Sequence, residues 1–262
     1  MLDEKVCLVT GAAQGIGRAT ALEMARQGAG AVMVCDVQDE RGTETAELVA
    51  AEGAKAAYVH CDVADGDQIR AAIEATADRF GGLDVLHNNA GVHESDLTEQ
   101  LTIDTLPDEV WDRVYAINIR GMWQAIKYAA PYLRRSTRGP AIVNAASLAS
   151  FAGYPMASAY CSTKGAVLQL TKTAAIDLAP EIRVNCYCPG SIDTPMVAKY
   201  YEAAEDPEAV QRALAGTHLV PRLGRPEEVA SVVCFLASDA ASFLTGTAIT
   251  VDGGSLAWRG SH

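Results

Sequence analysis

Lys5-Val-Cys-Leu-Val-Thr10-Gly11-Ala-Ala-Gln-Gly15-Ile-Gly17, running on into Arg18-Ala-Thr-Ala-Leu-Glu-Met-Ala-Arg-Gln-Gly28, decides the fold. The apolar run before Gly11 reads as a short buried strand. The stretch after Gly17 reads as an amphipathic helix that Gly28 stops. Strand, glycine turn and helix open a βαβ unit. Glycines let a backbone approach a pyrophosphate closely, and a helix N-terminus offers it free N–H groups and a positive dipole end. The spacing is G-x-x-x-G-x-G rather than the more familiar G-x-G-x-x-G, and an ordinary strand–helix turn could carry the same glycines. A second apolar run, Ala31-Val-Met-Val-Cys-Asp36, ends on a carboxylate about twenty residues later, where a ribose-binding acid is expected. Such an aspartate accepts hydrogen bonds from ribose hydroxyls and repels the additional phosphate of NADP. No Arg or Lys lies between Gly11 and Gly17 to offset that repulsion. The reading is NAD over NADP, with a loop-opening carboxylate as the alternative for Asp36.

Five more strand-like runs follow, at 54–61, 83–88, 140–146, 182–188 and 247–251, with helical stretches between them. No Pro/Gly/Ser linker, repeat or low-complexity segment divides the 262 residues. The alternation predicts one α/β domain over 1–262. Its architecture is a doubly wound Rossmann fold, a seven-stranded, mostly parallel sheet with helices on both faces. A chain of this size buries a full core without staples.

Tyr160 and Lys164 stand four apart in Ala-Tyr-Cys-Ser-Thr-Lys-Gly, and Ser147 ends the apolar run Ala-Ile-Val-Asn-Ala-Ala-Ser. On a helix the two side chains share one face, a turn apart. An ammonium beside a phenol favours the phenolate, so the tyrosine pKa is expected to fall from about 10. A tyrosine tuned this way can exchange a proton with an alcohol near neutral pH. The serine hydroxyl would hold the substrate oxygen.

These motifs, in this order, resemble the short-chain dehydrogenase/reductase family in its single-domain form, over about residues 5–254. The matching positions are Thr10-Gly11-x-x-x-Gly15-Ile16-Gly17, Asp62-Val63, Asn88-Asn89-Ala90-Gly91, Asn118, Ser147, Tyr160-x-x-x-Lys164, and Pro189-Gly190 followed by Thr194. The resemblance implies that Gly11, Gln14, Gly15, Ile16 and Gly17 surround a diphosphate. It implies that Asp36 binds the adenosine ribose, that Asp62 and Val63 border the adenine, and that Asn89, Ala90 and Gly91 continue that wall. Tyr160 would be the acid/base. Lys164 would lower its pKa and bind the nicotinamide ribose. Asn118 would hold a water linking Lys164 to solvent. Pro189, Gly190, Ile192 and Thr194 would hold the carboxamide. The implied activity is NAD-dependent interconversion of a secondary alcohol and its ketone. The implied assembly is a homotetramer, built on helices near 107–135 and 157–179 and on the C-terminal strand and helix.

A net charge of −12 and a pI of about 4.8 argue against a nucleic-acid partner. The seven cysteines are odd in number and show no Cys-x-x-Cys or Cys/His metal spacing. They read as free thiols in a reducing cytoplasm, with no metal site. A first strand so near Met1 leaves no room for a signal peptide, and no apolar run reaches membrane-spanning length. Arg259-Gly-Ser-His262 has the look of an appended tail.

Ligands of open α/β sheets bind at the carboxyl ends of the strands. Three segments qualify: 92–106, 148–156 and 191–223, the last with the helical character of a lid. Pocket candidates are His93, Leu148, Phe151, Tyr154, Met156, Ser191, Met196, Tyr200 and Tyr201. Their apolar and aromatic character suits a neutral substrate. The acids Glu94, Asp96, Glu99 and Asp104 disfavour an anion. His93 reads either as a solvent-facing loop residue or as an additional hydrogen-bond donor. Two other functions fit the same residues. One is an NADPH-dependent reductase of 3-oxoacyl groups on a carrier protein, which Asp36 and the acidic balance count against. The other is a non-catalytic NADH-sensing protein that binds a partner.

Overall fold

The computed structural model describes residues 1–202 and 204–258; Arg259 to His262 lie outside the described residues. All seven strands form where the sequence reading puts them: β1 Val6–Thr10, β2 Ala31–Asp36, β3 Lys55–His60, β4 Val85–Asn88, β5 Ala141–Ala145, β6 Arg183–Pro189 and β7 Ala248–Val251. Every pairing is parallel, and the order across the sheet is β3-β2-β1-β4-β5-β6-β7. The chain winds outward from β1 to β3, then returns to begin the other half at β4 beside β1. The strand order therefore reverses between β1 and β4, and a crevice opens there at the carboxyl ends.

The helices are α1 Gly15–Arg26, α2 Asp39–Ala51, α3 Gly66–Phe80, α4 Asp108–Tyr115, α5 Met122–Leu133, α6 Ser158–Asp177, α7 Pro195–Glu202, α8 Pro207–Gly216 and α9 Pro226–Ala237. Side chains alternate along each strand, so one face of the sheet meets α3, α5 and α6 and the other meets α1, α2 and α9. Leu8, Leu86 and Ile142 pack with Ile73, Leu133 and Val167 on the first face. Val9, Val34 and Val143 pack with Met24, Val49 and Val233 on the second. Each large side chain so buried contributes about 1.5–3 kcal/mol. With both faces covered, β1, β2 and β5 are buried along their whole length, which is why they read as unbroken apolar runs.

Two helical expectations change. The helix expected over 107–135 is interrupted by a π-helical segment, Ala116–Gly121, that carries Asn118 between α4 and α5. Such insertions are frequent at functional sites because they re-aim a side chain. The segment 191–223 contains two separate helices, α7 and α8, with Pro195 and Pro207 at their starts.

Candidate active site

The crevice between β1 and β4 is held open by its own backbone. Gly11 and Gly15 have φ of +63° and +56°, in the left-handed region. A Cβ on Gly17 would lie 2.1 Å from the Gly11 carbonyl oxygen and 2.5 Å from Asn89 Nδ2. The first turn of α1 can come this close to the loop only without a side chain. Asn89 Nδ2 donates to the carbonyls of Thr10 (3.1 Å) and Gly11 (2.9 Å), and Thr10 Oγ1 accepts from the backbone N–H of Asn89 and Ala90. Gly17→Ala forces this stitch apart. Overpacking of this kind costs about 1–3 kcal/mol, which at about 2–4 °C per kcal/mol for a domain of this size lowers the melting temperature by roughly 5 °C. Thermal melts of the two proteins check this, and equal melting temperatures would refute the close-packing argument.

The loop suits a dinucleotide on structural grounds. Gln14, the N-cap of α1, makes no side-chain cap bond, and the first turn carries no acid. The helix N-terminus is thus left to an anion. A cleft of about 450 Å³ runs from this loop in both directions. Gly11, Gln14, Gly15 and Ile16 line its middle, and Asp36, Asp62 and Val63 lie toward one end. Asn89, Ala90 and Gly91 form a wall, and Tyr160, Lys164, Pro189, Thr194 and Met196 close the other end. A larger hollow of about 900 Å³ on the outer face of α4 to α6, beside Trp123 and Leu170, contains none of the residues picked from the sequence.

Asp36 is 7 % exposed. Its Oδ2 accepts from the Ala13 N–H (2.9 Å) and its Oδ1 from the Gln38 N–H (3.0 Å), so it pins two loops while still facing the cleft. Asp62 pairs with Arg113 at 2.8 Å. A cation that the sequence reading missed stands nearby: Arg41, on α2, donates to Gln14 Oε1 at 2.6 Å and to Gln38 Oε1 at 3.2 Å. No local pattern marks it, because its partners come from different loops.

At the other end, Ser147 follows β5 just beyond the cleft-lining Ala145 and Ala146, and its Oγ accepts from the Ala149 N–H. The hydroxyl also stands close enough to the Tyr160 phenol to favour its ionised form. Tyr160 and Lys164 sit one turn apart on α6, with the ammonium 5.5 Å from the ring centre. Lys164 Nζ donates to the Ala145 carbonyl at 2.8 Å rather than to the phenol. The expected depression of the tyrosine pKa is therefore corrected for the chain alone. Burial pushes Tyr160 up to about 12, with Ser147 opposing it. Burial pushes Lys164 down to about 8.

Asn118 projects from the π segment. Its Oδ1 accepts from the Val92 N–H, and its Nδ2 donates to the Val92 carbonyl and to Thr163 Oγ1. The side chain is a strut between the Gly91–Val92 wall and α6. A Cβ on Gly91 would lie 3.3 Å from Asn118 Oδ1 and 3.5 Å from Lys164 Nζ, so the three groups meet there.

The pocket candidates divide. His93 does not face solvent. Its ring lies 5.0 Å from the Tyr160 ring and 6.1 Å from that of Tyr200, and its Nδ1 accepts from the Ser95 N–H. Leu148 is buried behind Ser147, whereas Phe151, Tyr154 and Met156 are exposed around the same loop. Ile192 is buried and bridges to Gly224 rather than lining the cleft, and Gly190 is tucked beneath it against His218 and Asp252. The Ser191 N–H donates to His218 Nε2, a buried histidine that sequence reasoning missed. Tyr201 turns away to Asp193. Glu94, one of the acids expected to disfavour an anion, is fully buried, and Asp96 is paired with Lys199. Beneath the crevice, Tyr187 reaches across β5 to His87 Nε2 (3.1 Å) and Asn89 Oδ1 (3.2 Å). That polar chain stiffens the Asn89 stitch and was not visible from spacing.

Comparison with known proteins agrees with this geometry. The family described as enoyl-(acyl carrier protein) reductase matches residues 11–255. The chain is 40 % identical over 253 residues to the cyclohexanol dehydrogenase of an Acinetobacter species, covering 96 % of this chain and 94 % of that one. It is 39 % identical over 255 residues to the 3-oxoacyl-[acyl-carrier-protein] reductase of Thermotoga maritima, covering 97 % and 98 %. The ligand-free aldohexose dehydrogenase of Thermoplasma acidophilum superposes with a TM-score of 0.88 at 38 % identity, over 100 % of this chain and 97 % of that one. With its parallel sheet, its glycine-lined crevice and its Ser–Tyr–Lys cluster, the chain belongs to the short-chain dehydrogenase/reductase family of oxidoreductases, which bind a nicotinamide cofactor.

Proposed function

We propose that the protein is an NAD-dependent dehydrogenase that interconverts a neutral secondary alcohol and its ketone, with Tyr160 as acid/base. One observation carries this reading: a half-buried phenol with Ser147 close by and Lys164 one turn away, at one end of a cleft whose other end holds Asp36. The similarity to a cyclohexanol dehydrogenase supports an alicyclic alcohol, as does the rim of Phe151, Tyr154 and Met156. The 39 % identity to a 3-oxoacyl carrier-protein reductase keeps that activity as a second reading. An acidic carrier would have to dock on a chain of net charge −12.

The dinucleotide would lie along the cleft with its diphosphate at Gly11 to Gly17, its adenosine ribose at Asp36 and its adenine between Asp62 and Val63. Its nicotinamide end would sit by Pro189 and Thr194. A bound nicotinamide supplies the hydride acceptor or donor. Ser147 holds the substrate oxygen. Tyr160 takes the hydroxyl proton during oxidation and returns it during reduction. Lys164 holds the ribose and stabilises the phenolate. Asn118 keeps the wall and α6 in register. The segment 191–223 acts as a lid, since Thr194 and Met196 line the cleft while Lys199 and Tyr200 reach Asp96 and Ser95. The family's homotetramer is proposed on the same footing, with the hollow beside Trp123 as part of its contact face.

The pKa shifts set the pH dependence. Oxidation requires the phenolate, and Tyr160 is protonated at neutrality because its pKa is raised. The active fraction therefore grows as pH rises. Lys164 loses its charge above about 8, which removes the phenolate's support. Oxidation of cyclohexanol with NAD should rise up to about tenfold per pH unit from about pH 6 to about pH 8, then flatten. Ketone reduction, which uses the neutral phenol, should show no such rise. Initial rates of nicotinamide absorbance in both directions test the function and its pH profile together. No turnover of any neutral secondary alcohol, alongside turnover of a 3-oxoacyl thioester, would replace the first reading with the second.

A further inference from the structure

α6 begins without a cap of its own. Its N-cap, Ala157, has no side-chain oxygen to offer, so the first-turn N–H groups lack a local acceptor. The acceptor comes from another part of the chain. Glu94, in the short 3-10 turn Glu94–Asp96, is fully buried. One carboxylate oxygen accepts from the Ala159 N–H at 2.9 Å, and the other accepts from the N–H of Tyr160 itself at 3.1 Å. A carboxylate taken out of water is costly unless its charge is met. Here two N–H donors and the positive end of a 20-residue helix meet it.

A serine or aspartate at 157 would satisfy the same amides with less chain. A carboxylate from the 94 turn does something more, because that turn is fixed to the cofactor cleft. Val92, two residues earlier, is clasped by the Asn118 side chain through both its N–H and its carbonyl. Gly91 lines the cleft beside Lys164. On the far side, Ser95 Oγ lies 3.0 Å from the Tyr200 hydroxyl, and Asp96 pairs with Lys199. The turn is thus held from both ends, and it holds the backbone nitrogen of Tyr160.

We propose that Glu94 is a positioning residue for the reaction: its carboxylate fixes the main chain of Tyr160 relative to the Gly91 wall, and so sets where the phenol stands. The inference rests on Tyr160 being the acid/base. Proton and hydride transfer tolerate little misplacement, so loosening this anchor lowers turnover more than it lowers cofactor affinity.

The test compares the unaltered chain with Glu94→Gln, Glu94→Ala and Tyr160→Phe. Glutamine keeps the size and one acceptor, so it remains informative if the alanine variant does not fold. Three readouts are needed: amide hydrogen exchange along α6, NADH binding by fluorescence, and kcat and KM for cyclohexanol. In Glu94→Gln, exchange should rise at the Ala159 and Tyr160 amides at the start of α6 and not in the sheet. The kcat should fall about tenfold while the NADH dissociation constant stays within about twofold. Unchanged exchange at those amides, or full kcat with Tyr160→Phe inactive, overturns the inference alone. Loosening throughout the chain with matching losses in kcat and NADH binding also overturns it, since that is a purely structural role. Turnover that survives Tyr160→Phe overturns instead the acid/base reading beneath it.

Discussion

Tyr160→Phe is expected to lower kcat for alcohol oxidation by about three orders of magnitude, within the range that a positioned general acid/base contributes. NADH binding should stay within about twofold. The change deletes one oxygen and keeps the ring, so the packing against His93 survives. Any hydrogen bond lost would be to the nearby Ser147 hydroxyl, whose Oγ still accepts from the Ala149 N–H. A net loss of about 1 kcal/mol in stability is the scale for one such bond, too small to unfold the chain. Most of the cofactor surface is unchanged, since Gly11, Asp36 and Asn89 lie farther along the cleft. Steady-state rates with NAD and cyclohexanol, beside a fluorescence titration with NADH, separate the two effects. Residual turnover above about one-tenth would mean that another group takes the proton, and Ser147 or a solvent path through the Lys164 end would inherit the role.

The sequence carried the fold well because its evidence is local. Unbroken apolar runs such as Val32 to Cys35 report burial on both faces, and the Gly11–Gly17 turn reports close backbone approach. The Tyr160–Lys164 spacing likewise survives because α6 is a regular helix there. What stayed hidden depends on contacts made across the fold. Nothing around Glu94 distinguishes it from the exposed Glu99, yet one is buried against a helix 65 residues away and the other faces water. The π segment at Asn118 follows an ordinary amphipathic pattern and is set by the side chain's bonds to Val92 and Thr163. The Tyr160 pKa went the other way because spacing does not show how far the phenol is taken out of water, and burial outweighs the nearby Ser147 hydroxyl; nor does it show the Lys164 ammonium donating to the Ala145 carbonyl. Arg41 stayed hidden because it lies on α2, outside the Gly11–Gly17 loop, and meets Gln14 only through the fold.

Asp36→Ser should invert the cofactor preference. Asp36 does two things that this change separates. It pins Ala13 and Gln38 through their backbone N–H groups. In the proposed complex it also accepts from the adenosine ribose, since each carboxylate oxygen has a second lone pair to offer. Losing a hydrogen bond to a charged group costs about 1.5–3 kcal/mol, so kcat/KM with NAD should fall roughly 10- to 100-fold. A purely structural aspartate would give a similar loss, and with NADP it would give the same one. The ribose reading predicts the opposite for NADP. A carboxylate near a phosphate is repelled by an amount on the order of 1 to 4 kcal/mol near a protein surface. Its removal lets Arg41 swing from Gln14 onto the additional phosphate. The kcat/KM with NADP should therefore rise about tenfold or more, a change in the ratio of about two to three orders of magnitude. Arg41→Ala placed on top should erase the NADP gain and leave the NAD loss as it was. If both cofactors instead lose equally in Asp36→Ser, the carboxylate only opens a loop, and cofactor choice must be set elsewhere along the Asp62 end of the cleft.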